Sequence, residues 1–374
     1  MISFLLKNAL WLIAIGLISC NKPLQEFNND DFHELNFDKK ISVSKRVLKG
    51  VGHLNFCDNK LVGFDYKSNQ LLVISNMNGF NQITRSPVLF QKKDQKVIEC
   101  HVNDSIITFH LIEIVTQDDK KIQVHSILQQ NIQGTRRYFY MELNPSTILQ
   151  PGFYLYPPVE NEHSLSVRGH ISGDWVNYFD NKMELRIFKE KDSISNLFPI
   201  FQDENLDGYG SYARDFVGRC VLKDSLYIYS IPIKNNLYVY SEKGNFIKEL
   251  PIGNVDEKLF KKLDQEEDFS LMMKNISSKP YFSSFGQINN TFIYRVFEHG
   301  QEVGIKTNDR STRDWTLYIH DVDFGKNSTF KFQNDKYSPI VSSNSKQLVF
   351  TENTTNNDSL RTFWYYDVLR KSSK

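Results

Sequence analysis

Three oxygen-bearing side chains at alternate positions, Asp203, Asn205 and Asp207, lead into Gly208, Tyr209 and Ser211 in the run DENLDGYGS. That spacing lets three hard donors converge, Gly208 permits the sharp turn, and the Tyr209 carbonyl and Ser211 stand next in line. The chemistry on offer is coordination of a hard divalent cation, calcium first. An ordinary Asx-rich turn uses the same residues, and both readings stay open. A second set is made of imidazoles. His53, His101 and His170 fall near the starts of what read as the inner strands of three successive units, with Arg168, Arg214, Asp215 and Arg219 close by in sequence. Brought to one mouth, such groups would hold a metal or move protons in a hydrolysis; kept apart, each is a structural strand residue. The chain carries no HExxH, no GxSxG leading into a helix, no P-loop and no GxGxxG.

The elements that must position these groups are strands. Val217 to Asn254 contains Leu226-Tyr227-Ile228-Tyr229-Ser230, a turn at Lys234-Asn235-Asn236, then Leu237-Tyr238-Val239-Tyr240. Alternation with a period of two predicts two half-buried strands, and Gly244-Asn245 supplies the positive φ of a tight hairpin into a further run, Phe246 to Ile252. The unit is a four-stranded meander. Degraded copies recur over His53 to Phe90, Val97 to Leu143, Ser166 to Ile200 and Tyr281 to Phe332. Such repetition predicts an all-β propeller, with six four-stranded blades as the count and seven blades or an irregular β-sandwich as alternatives. The last unit, Ser338 to Tyr366, has three strands, so the segment His33 to Leu48 is expected to donate the fourth and close the ring.

Insertions are one-sided. Turns joining first to second strands are short, as at Asn103-Asp104-Ser105 and Asn289-Asn290. Long pieces, Asn144 to Leu165, Phe201 to Phe216 and Asn254 to Pro280, join one unit to the next, and Glu298 to Asp314 joins a second strand to a third. In a meander these two connection classes emerge on one face, which is therefore expected to carry the binding loops. Asn254 to Glu257 reads as a capping box, with Leu259, Phe260 and Leu263 on the apolar stripe of a helix running to about Lys274.

Charge excludes one class of partner. Lys plus Arg total 45 against 44 for Asp plus Glu, so no basic field exists for nucleic acid. Met1 to Ser19 holds Lys7 and an apolar run too short to span and remain, reading as a signal peptide. Its ending, Leu17-Ile18-Ser19-Cys20, resembles a bacterial lipobox, which implies that Cys20 is acylated and becomes the new N-terminus. Residues 20–31 then read as a tether and 32–374 as one domain. The odd remainder, Cys57, Cys100 and Cys220, argues for free buried thiols near inner-strand starts.

Further resemblances follow from these residues. The Asp203 to Ser211 run resembles the start of an EF-hand loop and the calcium loops of some propellers, but Arg214 stands at the bidentate Glu position. The imidazole set resembles the channel-mouth groups of propeller lactonases. Asp104-Ser105-Ile106, Asp192-Ser193-Ile194, Asp224-Ser225-Leu226 and Asp358-Ser359-Leu360 resemble an O-glycosylation motif of Bacteroidota envelope proteins. Ser230-Ile231-Pro232 and Leu237 to Tyr240, behind a lipobox, resemble uncharacterised six-bladed propeller lipoproteins of that phylum. The expectation is a monomer tethered to the bacterial envelope membrane that binds a protein, peptide or glycan; a hydrolase is the competing class.

Overall fold

The computed structural model describes residues 26–27, 32–57, 60–77, 80–149, 152–160, 163–171, 183–189, 193–199, 217–223, 225–260, 278–300, 313–332, 337–344, 346–353 and 359–371. Strand β1 (Glu26–Phe27) and strand β2 (His33–Ser44) precede six antiparallel sheets set as blades of a propeller. Blade one is β3 (Val51–Cys57), β4 (Lys60–Asp65), β5 (Gln70–Met77) and β6 (Phe80–Pro87). Blade two is β7 (Lys96–Asn103), β8 (Ile106–Gln117), β9 (Lys120–Asn131) and β10 (Arg137–Glu142). Blade three comprises β11 (Thr147–Leu149), β12 (Val159–Glu160), β13 (Ser164–Ile171), β14 (Met183–Phe188) and β15 (Ser193–Pro199).

Blade four is β16 (Gly218–Leu222), β17 (Leu226–Ser230), β18 (Asn236–Ser241) and β19 (Phe246–Pro251). Blade five is β20 (Tyr281–Ile288), β21 (Phe292–Glu298), β22 (Trp315–Asp321) and β23 (Lys326–Phe332). Blade six joins β24 (Tyr337–Ser343), β25 (Gln347–Glu352) and β26 (Leu360–Arg370) to β2 on its outer edge. Six blades and the donated N-terminal strand are therefore both present.

Aromatic and branched side chains build the walls between blades, because each sheet has two faces to cover. Val62, Phe64, Val102 and Phe109 form one core between blades one and two. Leu317, Phe330, Phe350 and Tyr366 form another between blades five and six, where the Trp315 and Phe332 rings stack at 4.0 Å. First-to-second-strand turns are tight because Asp104, Lys223 and Asn289 take φ of 51°, 50° and 45°, a left-handed conformation that Asp and Asn tolerate.

Ring closure is antiparallel from His33 opposite Arg370 to Ser44 opposite Leu360. Buried Ile41 and Val43 carry the closing strand into a core shared with blade one, beside Phe56 and Leu72. At the other end His33 is clamped to blade five. Its ring Nδ1 lies 2.8 Å from Ser328 Oγ and its Nε2 3.4 Å from Asp321 Oδ2, while Arg370 Nε donates to that same Oδ2 at 2.6 Å. Within the stretch read as a tether, Glu26 and Phe27 pair with Lys331 and Phe330, adding a short outer strand to blade five.

Blade three departs from expectation. The stretch 144–165, read as a connection, supplies its inner edge instead: β11 and β12 both pair with β13, which is thus the second strand. Between them, Phe153, Leu155 and Tyr156 are buried in an irregular run that ends at Pro157-Pro158. Proline has no N–H for a ladder, so the inner strand of this blade is broken in two. The expected helix begins only as a turn of 3-10 helix, Glu257–Leu259. Phe260 packs against the Phe297 ring, whereas Leu259 is exposed, so the two do not share a buried stripe. The remainder of that helix, Leu263 included, lies outside the described residues.

Candidate functional site

The inner strands start on the insertion-bearing face and end on the face of the short first-to-second-strand turns. Their last residues surround a cavity of about 440 Å³ in the channel. All six blades contribute: Asn55 to Cys57, His101 to Asp104, parts of the segment 153–160, Arg219 to Val221, Phe285 to Gln287 with Asn289 and Asn290, and Ser342 to Asn344. The cavity therefore opens beside the plain turns, opposite the face on which the long insertions were expected to bind.

Its wall at blades three and four is a buried ion pair. Arg219 Nη1 donates to Glu184 Oε1, and Nη2 donates to the Pro157 carbonyl and, at 3.4 Å, to the Ser166 carbonyl. The other Glu184 oxygen accepts from the Tyr156 hydroxyl at 2.9 Å and from the Tyr229 hydroxyl. Arg219 and Glu184 both have side chains that are 0% exposed, and the guanidinium sits 4.1 Å from the Tyr156 ring centroid. Burial disfavours the charge on Arg219, but Glu184 together with the Tyr156, Tyr229 and Tyr227 hydroxyls outweighs it and raises the guanidinium above its ordinary pKa. Burial and the Glu184 charge together push both tyrosine hydroxyls well above theirs. The pair is thus spent on its own neighbours.

A second buried carboxylate fixes the irregular segment. Glu99 Oε2 accepts the backbone N–H groups of Gly152 and Phe153 at 2.7 and 2.8 Å. Its Oε1 lies 3.5 Å from His110 Nδ1, whose ring stacks on His125 with a 2.8 Å contact between nitrogens. This arrangement sets the depth of Phe153 and the position of Tyr154, which is 65% exposed at the cavity's rim.

Among the polar groups at the cavity that meet no hydrogen-bond partner among the described residues are the His101 imidazole and Gln287 Oε1. Burial lowers the pKa of His101 to about 4, with Glu99 opposing and Arg219 assisting, so the ring is neutral at pH 7. A neutral imidazole presents one donor and one acceptor. Asn289 and Asn290 already accept backbone N–H groups through Oδ1, from Thr291 at 2.8 Å and Lys223 at 3.2 Å, which leaves their amide donors for other use.

Of the expected channel-mouth residues, His101 and Arg219 line the cavity. His53 does not: it sits near the start of β3 with φ of 50°, its ring edge-on to Tyr66 at 5.8 Å. His170 lies at the far end of β13, the second strand, opposite Ile148. Strand direction puts His53 and His170 toward one face and His101 toward the other, so the three do not converge. Arg168 is buried with its guanidinium 5.7 Å from the Tyr156 ring. No group of three or more His, Cys, Asp or Glu among the described residues could hold a metal. Asp203, Asn205, Asp207, Tyr209, Ser211, Arg214, Asp215 and Cys20 lie outside the described residues. The three remaining cysteines are free thiols, Cys57 at the end of β3 rather than its start. Sequence reasoning missed Glu184, Glu99, Tyr154 and Gln287; Glu184, within MELRIF, and Glu99, within VIEC, have apolar flanks that hint at burial.

A six-bladed propeller with a ligand-sized cavity in its channel is the class that fold and geometry define. No known family profile matches the chain, and no curated protein matches it. Among solved structures it is similar to a member of the DUF4221 family from Bacteroides vulgatus ATCC 8482, at 13% identity and a TM-score of 0.61, covering 92% of this chain and 100% of that one. It also matches a candidate exported protein from Bacteroides fragilis NCTC 9343 (12% identity, TM-score 0.49, covering 93% and 98%) and a virginiamycin B lyase from Staphylococcus aureus (12%, 0.40, 88% and 99%). At such identities the likeness is one of fold. The first of them bears out, at that level, the resemblance to uncharacterised propellers of Bacteroidota.

Proposed function

We propose that this protein is an envelope-tethered binding propeller that receives an uncharged polar ligand in the channel cavity. The observation that carries the reading is the pairing of unpartnered polar groups, His101 and Gln287 Oε1, with a concave cavity of about 440 Å³. Small-molecule sites fall in the range of roughly 300–1,000 Å³ and place a few polar groups in otherwise apolar walls. The charges of the cavity wall are already balanced. Arg219 is neutralised by Glu184, and Glu160 is paired with Lys189, so a charged ligand seated past the exposed Asp104 at the rim would have no counter-ion. His101, with no group of three or more His, Cys, Asp or Glu able to hold a metal among the described residues, also fits binding better than metal-assisted hydrolysis, which needs ligands that converge.

Two measurements test the reading. In a bacterial host fed an alkynyl fatty acid, the full chain should take up label and sediment with membranes, and Cys20→Ala should lose both. Unaltered labelling or sedimentation of the variant would remove the anchor. For binding, the purified full chain in a non-glycosidic detergent is melted with saturating neutral saccharides, capped uncharged dipeptides or nucleosides. A ligand at ~100 times its Kd stabilises by about 2.7 kcal/mol, a visible rise in Tm. No rise with any class would remove the binding role.

A further inference from the structure

We infer that the pairing of β1 with β23 seats the propeller on the bilayer by the insertion-bearing end of blade five, so that the channel cavity opens away from the membrane, a step that rests on the acylated Cys20 of the reading above. Strand direction, chain length and the make-up of the two ends point the same way. β23 is a fourth strand, rising from Lys326 at the plain turns to Phe332, opposite Trp315, at the insertion-bearing face. β1 runs antiparallel to it, with Glu26 opposite Lys331 and Phe27 opposite Phe330. The chain therefore enters the domain at the insertion-bearing end of blade five and heads toward the plain turns. β2 then runs back, from His33 opposite Arg370 at the plain end to Ser44 opposite Leu360 at the other.

Glu26 follows Cys20 by six residues, a span of about 20 Å at full extension. Its partner Lys331 stands five residues beyond Lys326, or roughly 17 Å above the plain end of the blade. Laying the plain face on the bilayer would use nearly all of that span in running back along the outside of blade five, whereas the insertion-bearing end needs none of it. Without the β1 pairing the free span would reach from Cys20 to His33, about 45 Å, and either face could meet lipid. The two ends also differ in what they would offer a bilayer. Asn103, Asp104, Asn289 and Asn290 are exposed around the cavity, so contact there would strip water from four polar side chains and set a carboxylate against anionic headgroups. At the other end, where Phe260 packs on Phe297, Leu259 is exposed beside Lys258, an apolar and a cationic side chain that such an interface accepts.

Energy transfer to a bilayer dye tests the orientation. The acylated full chain, with half-exposed Cys57 replaced by Cys57→Ser, carries a donor dye through either Leu259→Cys or Ser105→Cys, the latter in the exposed β7–β8 turn. It is added to preformed vesicles of phosphatidylethanolamine and phosphatidylglycerol that hold an acceptor lipid. Position 259 should transfer severalfold more than position 105. Glu26→Pro with Phe27→Pro, which removes both N–H groups of β1, should leave Tm in place because β2 still closes the ring, and should bring the two positions to similar transfer. Equal transfer in the parent, or more from position 105, in a chain that still floats with the vesicles would overturn the orientation and leave the anchor standing. A bias that survives both prolines would overturn the role of β1. A chain that does not float would remove the anchor, and the orientation with it.

Discussion

Glu184→Leu is expected to lower the unfolding free energy by about 3–5 kcal/mol, the usual cost of leaving a buried charge without its partner. Arg219 would keep its position between blades three and four with a carboxylate gone, and the Tyr156 and Tyr229 hydroxyls would lose their acceptor. Urea denaturation followed by tryptophan fluorescence reads the change as a fall in midpoint at constant slope. The double variant Glu184→Leu with Arg219→Met is expected to recover most of the loss, because an apolar pair of similar volume has no charge to desolvate. A single variant as stable as the parent would mean that the pair is hydrated and does not join the blades. A double variant no better than the single would mean that packing around the two tyrosines, and not charge, was lost.

Removal of residues 31–48 is expected to abolish cooperative unfolding of the domain. Blade six would keep three strands and expose the edge of β26, while Leu35, Ile41 and Val43 would leave two cores. A synthetic peptide of the deleted residues, added in excess, should restore a sigmoidal melt. A truncated chain that melts like the parent would overturn the closure.

The same closure has an acid-sensitive part. Burial alone would raise the pKa of Asp321, yet the Arg370 guanidinium, the Phe324 N–H and His33 together hold it below its ordinary value of 3.8. A carboxyl depressed in the folded state contributes stability that is complete above the unfolded pKa and is lost as pH falls through the folded one. Stability should therefore decline below about pH 4, and Asp321→Asn should flatten that acid limb while lowering stability at pH 7. An acid limb of unchanged slope in the variant would place the titration elsewhere.

Most of the blade pattern could be read from residues alone because it is local. In Leu226 to Ser230 and Leu237 to Tyr240 the alternation, the Asn-rich turn and Gly244 all act within two adjoining hairpins, so no distant contact was needed. The donated strand followed from a count: three strands at the C-terminus demand a fourth. Blade three resisted for a physical reason. Gly152 to Pro158 lacks alternation and two of its residues lack an N–H, so its depth is set by Glu99 from a neighbouring blade, a contact 53 residues away.

The cavity was less legible still. His101 and Arg219 were flagged as candidates, but which end of the channel each reaches depends on strand direction, and a shift of a few residues moves a side chain between faces. Gln287 and Tyr154 carried no local signal at all. Their significance arises when six strand ends are gathered by a ring whose closing contact links residue 33 to residue 370.

That closing contact also sets how the domain answers to load. Tension entering from the N-terminal side meets the two-residue pairing of Glu26 and Phe27 first, and then His33, the outermost rung of β2. From there the strand would peel from β26 one rung at a time, beginning at the His33, Asp321 and Arg370 clamp rather than sliding all its hydrogen bonds at once. The clamp thus stands second in line, behind that short pairing, and hands the load to blade five before any rung of β2 opens.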